Sequence, residues 1–196
     1  MTAVHHLGYV VEDLRAAIPR TIATLRTGPF FLIEHLKFDE TTYLGAPASY
    51  DHSSAFAATE GGLLIELTQV HDAHPVALRD ALGRPGLGHV AWLADDLDAE
   101  TERLAAQGLT PFHTGKTGPA SAVWFDASAT LGHHVEVLQS APPLLAFYAS
   151  VRAARKDWDG ATDRSGRVRA RQRPDTPASG SSTCRIEVDY IAYAAR

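Results

Sequence analysis

The stretch "VHHLGYVVEDL" at residues 4–14 has a near twin in "GHVAWLADDL" at residues 88–97. With His6 set against His89, Asp13-Leu14 falls on Asp96-Leu97. Between these landmarks both copies carry bulky apolar groups at alternate positions. That alternation marks a strand with two unlike faces. The Asp-Leu pair reads as a helix cap followed by the first buried helical residue. A strand-to-helix unit is therefore written twice, and both copies open on a histidine.

A second pair of segments completes the repeat. "GLLIELTQ" (62–69) and "HHVEVLQS" (133–140) share Glu-apolar-x-Gln, so Glu66 matches Glu136 and Gln69 matches Gln139. His6 to Glu66 spans 60 residues and His89 to Glu136 spans 47. The 13 extra residues are assigned to "KFDETTYLGAPASYDHS" (37–53), whose Gly, Pro and polar residues read as a loop.

After each His-strand comes a helical pattern. The first has Leu14, Ile18, Ile22 and Leu25 at helical spacing, with Gly28 as terminator and Pro19 as a flaw. The second has Leu97, Thr101, Leu104 and Ala105 on one side and ends at Gly108. "FFLIEHLKF", "SSAFAATEG", "TPFHTGK" and "SAVWFDAS" are the remaining strand candidates. Each half then reads β-α-β-β-β, an α+β chain of two modules joined by a long linker (70–88). "PPLLAFYASVRAARKDW" (142–158) reads as an amphipathic helix. The Arg-, Ser- and Pro-rich stretch beyond it reads as a flexible basic tail, with "CRIEVDYIAYAA" a candidate edge strand.

Net charge is −5, but residues 164–196 hold seven Arg against three acidic residues, which leaves −9 on residues 1–163. An acidic body argues against nucleic acid as a partner. No stretch approaches the roughly 20 apolar residues of a membrane helix, and the single Cys184 forms no intrachain disulfide. A cytoplasmic protein, free of membranes and assembling as a symmetric homodimer, is the expectation. Cys184 lies in the tail, no Ser sits in a Gly-x-Ser-x-Gly elbow, and no Gly-rich phosphate loop follows a strand.

Face assignments sharpen the reading. His6 shares a face with Gly8 and Val10, opposite Leu7, Tyr9 and Val11; His89 shares one with Ala91 and Leu93, opposite Val90 and Trp92. Glu66 lies opposite Ile65 and Leu67, and Glu136 opposite Val135 and Val137. An acidic residue within such an apolar strand is expensive unless it is paired or holds a metal. A lone strand histidine is more often a hydrogen-bonded core residue. Here two His and two Glu occupy matched places in a repeat. His6, Glu66, His89 and Glu136 together suit Ni, Co, Mn, Fe or Zn and leave two octahedral positions for water or substrate.

These segments resemble the vicinal oxygen chelate superfamily, which includes glyoxalase I, methylmalonyl-CoA epimerase, extradiol dioxygenases and the bleomycin- and fosfomycin-resistance proteins. "HLGYVVEDL" resembles its first His-strand, "LIELTQ" its first Glu/Gln strand, "GLGHVAWLADDLDA" its second His-strand and "GHHVEVLQ" its last Glu strand. "TGPFFLIEH" and "YLGAPAS" look like a glyoxalase-like subgroup. The resemblance covers about residues 3–140 and implies paired βαβββ modules in a cup-shaped mixed sheet around one metal; the domain is set at 1–140 (modules 1–70 and 86–140), followed by the helix at 141–160 and the tail at 161–196. Carried over, the ligands are His6, Glu66, His89 and Glu136, with His5 competing with His6.

The leading expectation is a metal-dependent isomerase, epimerase or lyase of the glyoxalase type. Its small substrate would chelate the metal through two neighbouring oxygens and lose a proton beside a carbonyl to Glu136 or Glu66. Phe30, Phe31 and Phe56 are candidate apolar walls, with core packing the competing reading for each; His134 is a candidate for substrate contact or for ligation. Two alternatives stand beside this. One is an Fe(II) extradiol-type dioxygenase using His6, His89 and Glu136, in which Glu66 is an unwanted fourth ligand. The other is a metal-free drug-binding protein, which has no reason to keep all four side chains.

Overall fold

A computed structural model describes residues 3–156, Trp158 and the backbone of two short strands at 167–168 and 190–193. Module one comprises β1 (His6–Val10), α1 (Leu14–Leu25), β2 (Phe30–Lys37), the hairpin β3 (Glu40–Tyr43) and β4 (Ala46–Pro47), β5 (Ser49–Ala58) and β6 (Leu64–His74). Then comes α2 (Val76–Leu82). Module two comprises β7 (Gly86–Ala94), α3 (Leu97–Ala106), β8 (Thr110–Thr117), β9 (Ala120–Asp126), the single turn α4 (Ser128–Leu131) and β10 (His134–Gln139). Helix α5 (Pro142–Lys156) and strands β11 (Arg167–Val168) and β12 (Tyr190–Tyr193) follow. No helix among the described residues is long and apolar enough to cross a membrane.

All strands join one curled mixed sheet in the order β11-β12-β2-β5-β6-β1-β7-β10-β9-β8-β3-β4. Its centre reads β6-β1-β7-β10, which in side chains is Glu, His, His, Glu. β1 runs parallel to β6 and antiparallel to β7, and β10 runs parallel to β7. The His-strands of the two modules thus pair directly, and each is backed by its own Glu-strand.

The period-two alternation sends the apolar residues outward to the helices. Ile65 and Leu67 pack with Leu14, Ile18 and Ile22 of α1, and Val135 and Val137 pack with Leu97 and Leu104 of α3. The repeated Asp residues cap these helices: the Asp13 carboxylate accepts from Ala16 N–H at 3.1 Å and Asp96 from Ala99 N–H at 2.9 Å. The repeated glutamines serve the same end. Gln69 Oε1 accepts from Leu14 N–H at 3.1 Å, and Gln139 Oε1 from Leu97 N–H at 3.2 Å. Three residues past its glutamate, each Gln faces the opposite side of the sheet and satisfies a helix donor that has no partner within the helix. Replacing either Gln by Ala should lower unfolding free energy by about 1 kcal/mol, read from the denaturant midpoint. An unchanged midpoint would show that water replaces the amide at no loss.

Several expectations need correction. Residues 37–53 are not a loop: they form β3, β4 and the start of β5, and the hairpin crosses over to pair with β8 of module two. The linker holds α2, and β6 runs on to His74. Helix α1 continues through Pro19 and ends at Arg26, whose φ of 51° is left-handed, not at Gly28. Leu25 and Ala105 face solvent instead of the sheet. Most of the expected flexible tail lies outside the described residues. Within it, Tyr190–Tyr193 pairs antiparallel with β2 and is flanked on its other side by Arg167–Val168, so it stands second in the described sheet and not at its edge.

Helix α5 does not pack on the outer face. Its Phe147, Tyr148 and Val151 meet Phe56, Ala58 and Leu64 on the concave side, beside the first histidine strand. It closes one side of the cup.

Candidate metal centre

His6, Glu66, His89 and Glu136 come together inside the cup, each at least nine-tenths buried. Strand register explains the meeting. Gly8 stands opposite Glu66 on one side and His89 on the other, and Ala91 stands opposite His6 and Glu136. The two small residues leave room for rings from the neighbouring strands. At Gly8 the room is fully used, since a Cβ there would lie 2.1 Å from the His89 ring.

Both imidazoles point Nε2 into the cluster, 3.4 Å apart. Glu66 Oε2 lies 3.2 Å from His6 Nε2 and 3.1 Å from His89 Nε2, and Glu136 Oε2 lies 3.3 and 3.0 Å from the same atoms. Ligands about 2.1 Å from one cation stand roughly 3.0 Å apart at adjacent octahedral corners and roughly 3.4 Å apart at tetrahedral ones. The observed edges fall in that range, so this donor set fits a divalent cation of borderline hardness.

The two glutamates differ in their second oxygen. Glu66 Oε1 accepts from Ser54 Oγ at 2.6 Å and Thr68 Oγ1 at 3.2 Å. Glu136 Oε1 has no hydrogen-bond donor among the described residues. Glu66 is therefore pinned and Glu136 is not.

Without metal, the four groups form a buried charge cluster. Burial opposes charge on His89, but Glu136 and Glu66 overcome it and raise its pKa to about 10; His6 is raised for the same reasons. Burial likewise opposes ionisation of the carboxyls, but the facing imidazoles hold Glu136 at about 2 and Glu66 well below the usual range. A metal must displace both imidazole protons. Zinc affinity should therefore rise with pH through neutrality towards 10, by up to roughly a hundredfold per unit for two protons. Competition titrations at several pH values would show this, and a flat profile would contradict it. For metal-free protein the histidine contribution to stability is complete below pH 6.5 and fades as pH rises through about 10. The Glu136 contribution is complete above pH 4.5 and fades as pH falls through about 2.

The competitors of these four residues are placed elsewhere. His5 packs at a tilt against Tyr148, ring centroids 4.3 Å apart; burial, then the neighbouring His6 and Arg152, lower its pKa to about 3, and it stays outside the cluster. His134 lines the cavity wall, with Nε2 3.3 Å from Ala81 O and its ring 4.7 Å from Phe112, and is also outside the cluster. A second group, His35, Asp51 and His71, lies towards the surface, where Lys37 already pairs with Asp51 at 3.1 Å.

The cluster lies in a cavity of about 770 Å³. Phe56 lines it, 5.9 Å from the His6 ring. Phe31 stands opposite Phe56 in the sheet and packs in the apolar cluster under α5, outside the cavity lining. Phe30 is a correction: it is fully buried against α1 on the outer face. Adjacent strand residues face opposite ways, so Phe30 and Phe31 cannot share a wall. The sequence reading missed Tyr50, His52, Ser54, Trp124 and Tyr148, which all line the cavity. Alternation back from Phe56 along β5 picks out Ser54, His52 and Tyr50, but part of that run lay in the segment taken as a loop.

The chain belongs to the glyoxalase/bleomycin resistance protein/dioxygenase superfamily, whose family model matches residues 5–125. Among solved structures it is similar to methylmalonyl-CoA epimerase from Mycobacterium tuberculosis, at 23% identity over 73% of this chain and 91% of that one, with a TM-score of 0.48. A hypothetical protein from Bacillus halodurans is 14% identical over 71% and 95% of the two chains, with a TM-score of 0.49. A Streptomyces coelicolor methylmalonyl-CoA epimerase in complex with 2-nitronate-propionyl-CoA is 18% identical over 72% and 96%, with a TM-score of 0.44. No curated protein matches the chain.

Proposed function

We propose that this protein is a metal-dependent isomerase, epimerase or lyase acting on a small molecule with two neighbouring oxygens. The observation that carries the reading is the set of edges of 3.0–3.4 Å among four buried side chains of ligating type. His6, Glu66, His89 and Glu136 would hold the cation. Its charge would polarise a substrate carbonyl and make the neighbouring C–H more acidic.

The chain's own residues divide the remaining work. Ser54 and Thr68 fix Glu66, so that it keeps its place while others move. Glu136 Oε1, which accepts no hydrogen bond from the described residues, we assign as the atom that takes the proton and returns it. Phe56, Trp124 and Phe147 wall the cavity with apolar surface and exclude water, which strengthens each charge interaction within it.

Protein purified without chelators should carry about one divalent metal per chain. It should then catalyse metal-dependent exchange of deuterium from solvent into the C–H beside the carbonyl of hydroxyketones, and dialysis against chelator should abolish both. Protein that takes up none of Ni, Co, Mn, Fe or Zn, yet binds small molecules tightly, would be a sequestering protein instead. Oxygen uptake and ring cleavage of a catechol by the Fe(II) form would favour a dioxygenase.

A further inference from the structure

One buried polar group in the cavity has no part in the proposed metal centre. His52 on β5 is 6% exposed, lines the cavity, and its Nδ1 has no hydrogen-bond partner among the described residues. That nitrogen is itself closed off from the cavity, but His52 Nε2 is neither closed off nor bonded to a described residue, so this edge of the ring is left for a bound molecule. Burial lowers the His52 pKa to about 4 despite the charges of Glu66 and Glu136, so at neutral pH the ring is uncharged and offers one donor and one acceptor.

The surroundings of His52 define the shape of that molecule. Its ring stacks on Tyr50 at 4.3 Å and 17°, and Phe38 lies 5.8 Å away. Phe38 in turn lies 5.9 Å from Trp124, the cross-strand neighbour of Glu136. Aromatic faces therefore run from the cluster to His52, a lining suited to flat conjugated rings. Lys37 is the one Lys or Arg among the described residues lining the cavity, and Asp51 already pairs with it. The described walls thus lack a cationic cluster to receive phosphates.

We propose that His52 anchors the far end of a flat, conjugated, phosphate-free substrate by a hydrogen bond to a carbonyl or hydroxyl oxygen, while the paired oxygens at the other end face His6, Glu66, His89 and Glu136. This rests on the metal-centre reading above and adds a substrate class and a specificity residue to it.

The test compares two probes on the zinc-loaded full-length chain. Esculetin has two fused rings, adjacent hydroxyls at one end and a lactone carbonyl at the other. The naphthalene with adjacent hydroxyls has the same outline and no carbonyl. Wild-type protein should bind esculetin roughly five- to tenfold more tightly, the worth of about one hydrogen bond. His52→Leu should erase that preference and leave the naphthalene affinity within about twofold, which also shows that the variant is folded. His52→Gln, which keeps a donor and an acceptor, should restore part of it. An equal preference in His52→Leu and wild type overturns the anchor. Tight binding and turnover of methylmalonyl-CoA overturns the phosphate-free class. If neither probe binds wild type better with zinc than after chelation, the metal-centre reading fails and takes the proposal with it. That failure is recognised in wild type alone, before any His52 variant is compared.

Discussion

On the proposed metal centre, Gly8→Ala should prevent metal uptake without replacing any of the four proposed ligands. The added Cβ would lie 2.1 Å from the Cε1 and Nε2 atoms of His89 and 2.6 Å from Nδ1, well inside contact distance. Gly8 and His89 face each other across β1 and β7, so the ring or the strand pairing must give way. If the ring turns out, the site loses one of four donors, and the loss should resemble that of His89→Ala. We expect zinc affinity to fall by roughly a hundredfold or more, beyond the usual effect of changing a residue that merely supports a ligand. If the strands part instead, overpacking of this kind should cost about 1–3 kcal/mol of stability. Zinc competition titration and thermal unfolding of the metal-free form separate the two outcomes. A Gly8→Ala protein that binds zinc and unfolds like wild type would show that the close approach at Gly8 is wrong.

The second large effect is a contrast between the two glutamates. Glu136→Gln removes the carboxylate whose Oε1 has no partner among the described residues, and solvent exchange into substrate should fall by roughly a thousandfold, the middle of the range for a general base. Glu66→Gln retains an oxygen that Ser54 and Thr68 can hold, and the exchange rate should fall by no more than roughly tenfold once metal is saturating. Rates must be compared at saturating metal, because both changes weaken binding. The opposite ranking would move the proton-transfer role to Glu66 and leave Glu136 as the fixed support.

The central site was legible because its logic is local and repeated. Period-two alternation put His6 with Gly8, and Glu66 opposite Ile65 and Leu67. The duplication then raised four weak signals to one strong one. What alternation cannot supply is which strands become neighbours. Phe30 and Phe31 are both candidate walls on the sequence, with core packing as the rival reading, because nothing in "FFLIEH" says which side faces the cup; only pairing with β5 decides it. The hairpin of β3 and β4 was hidden for a different reason. Gly45 and Pro47 carry turn chemistry, and Gly45 does adopt a left-handed φ of 79°, but the strand before the turn, β3, finds its second partner in β8 about 70 residues onward. Long-range pairing of this kind leaves no local trace. Assigning that segment to a loop removed Tyr50 and His52 from view, and with them one wall of the cavity. The amphipathic pattern of α5 was visible, but an apolar stripe does not say which face of the sheet it will cover.

That crossing hairpin has a mechanical consequence. The two modules are stitched together twice, once through β1 and β7 and again through β3 and β8, where Thr42 Oγ1 and Thr114 Oγ1 meet at 2.8 Å and the sealed His113 ring reaches Thr42 O at 3.0 Å. Two modules joined only by a linker would melt as separate beads. With a double suture, loosening either half uncovers the other, and the molecule should denature in a single cooperative event even when a protease has nicked the peptide chain between α2 and β7.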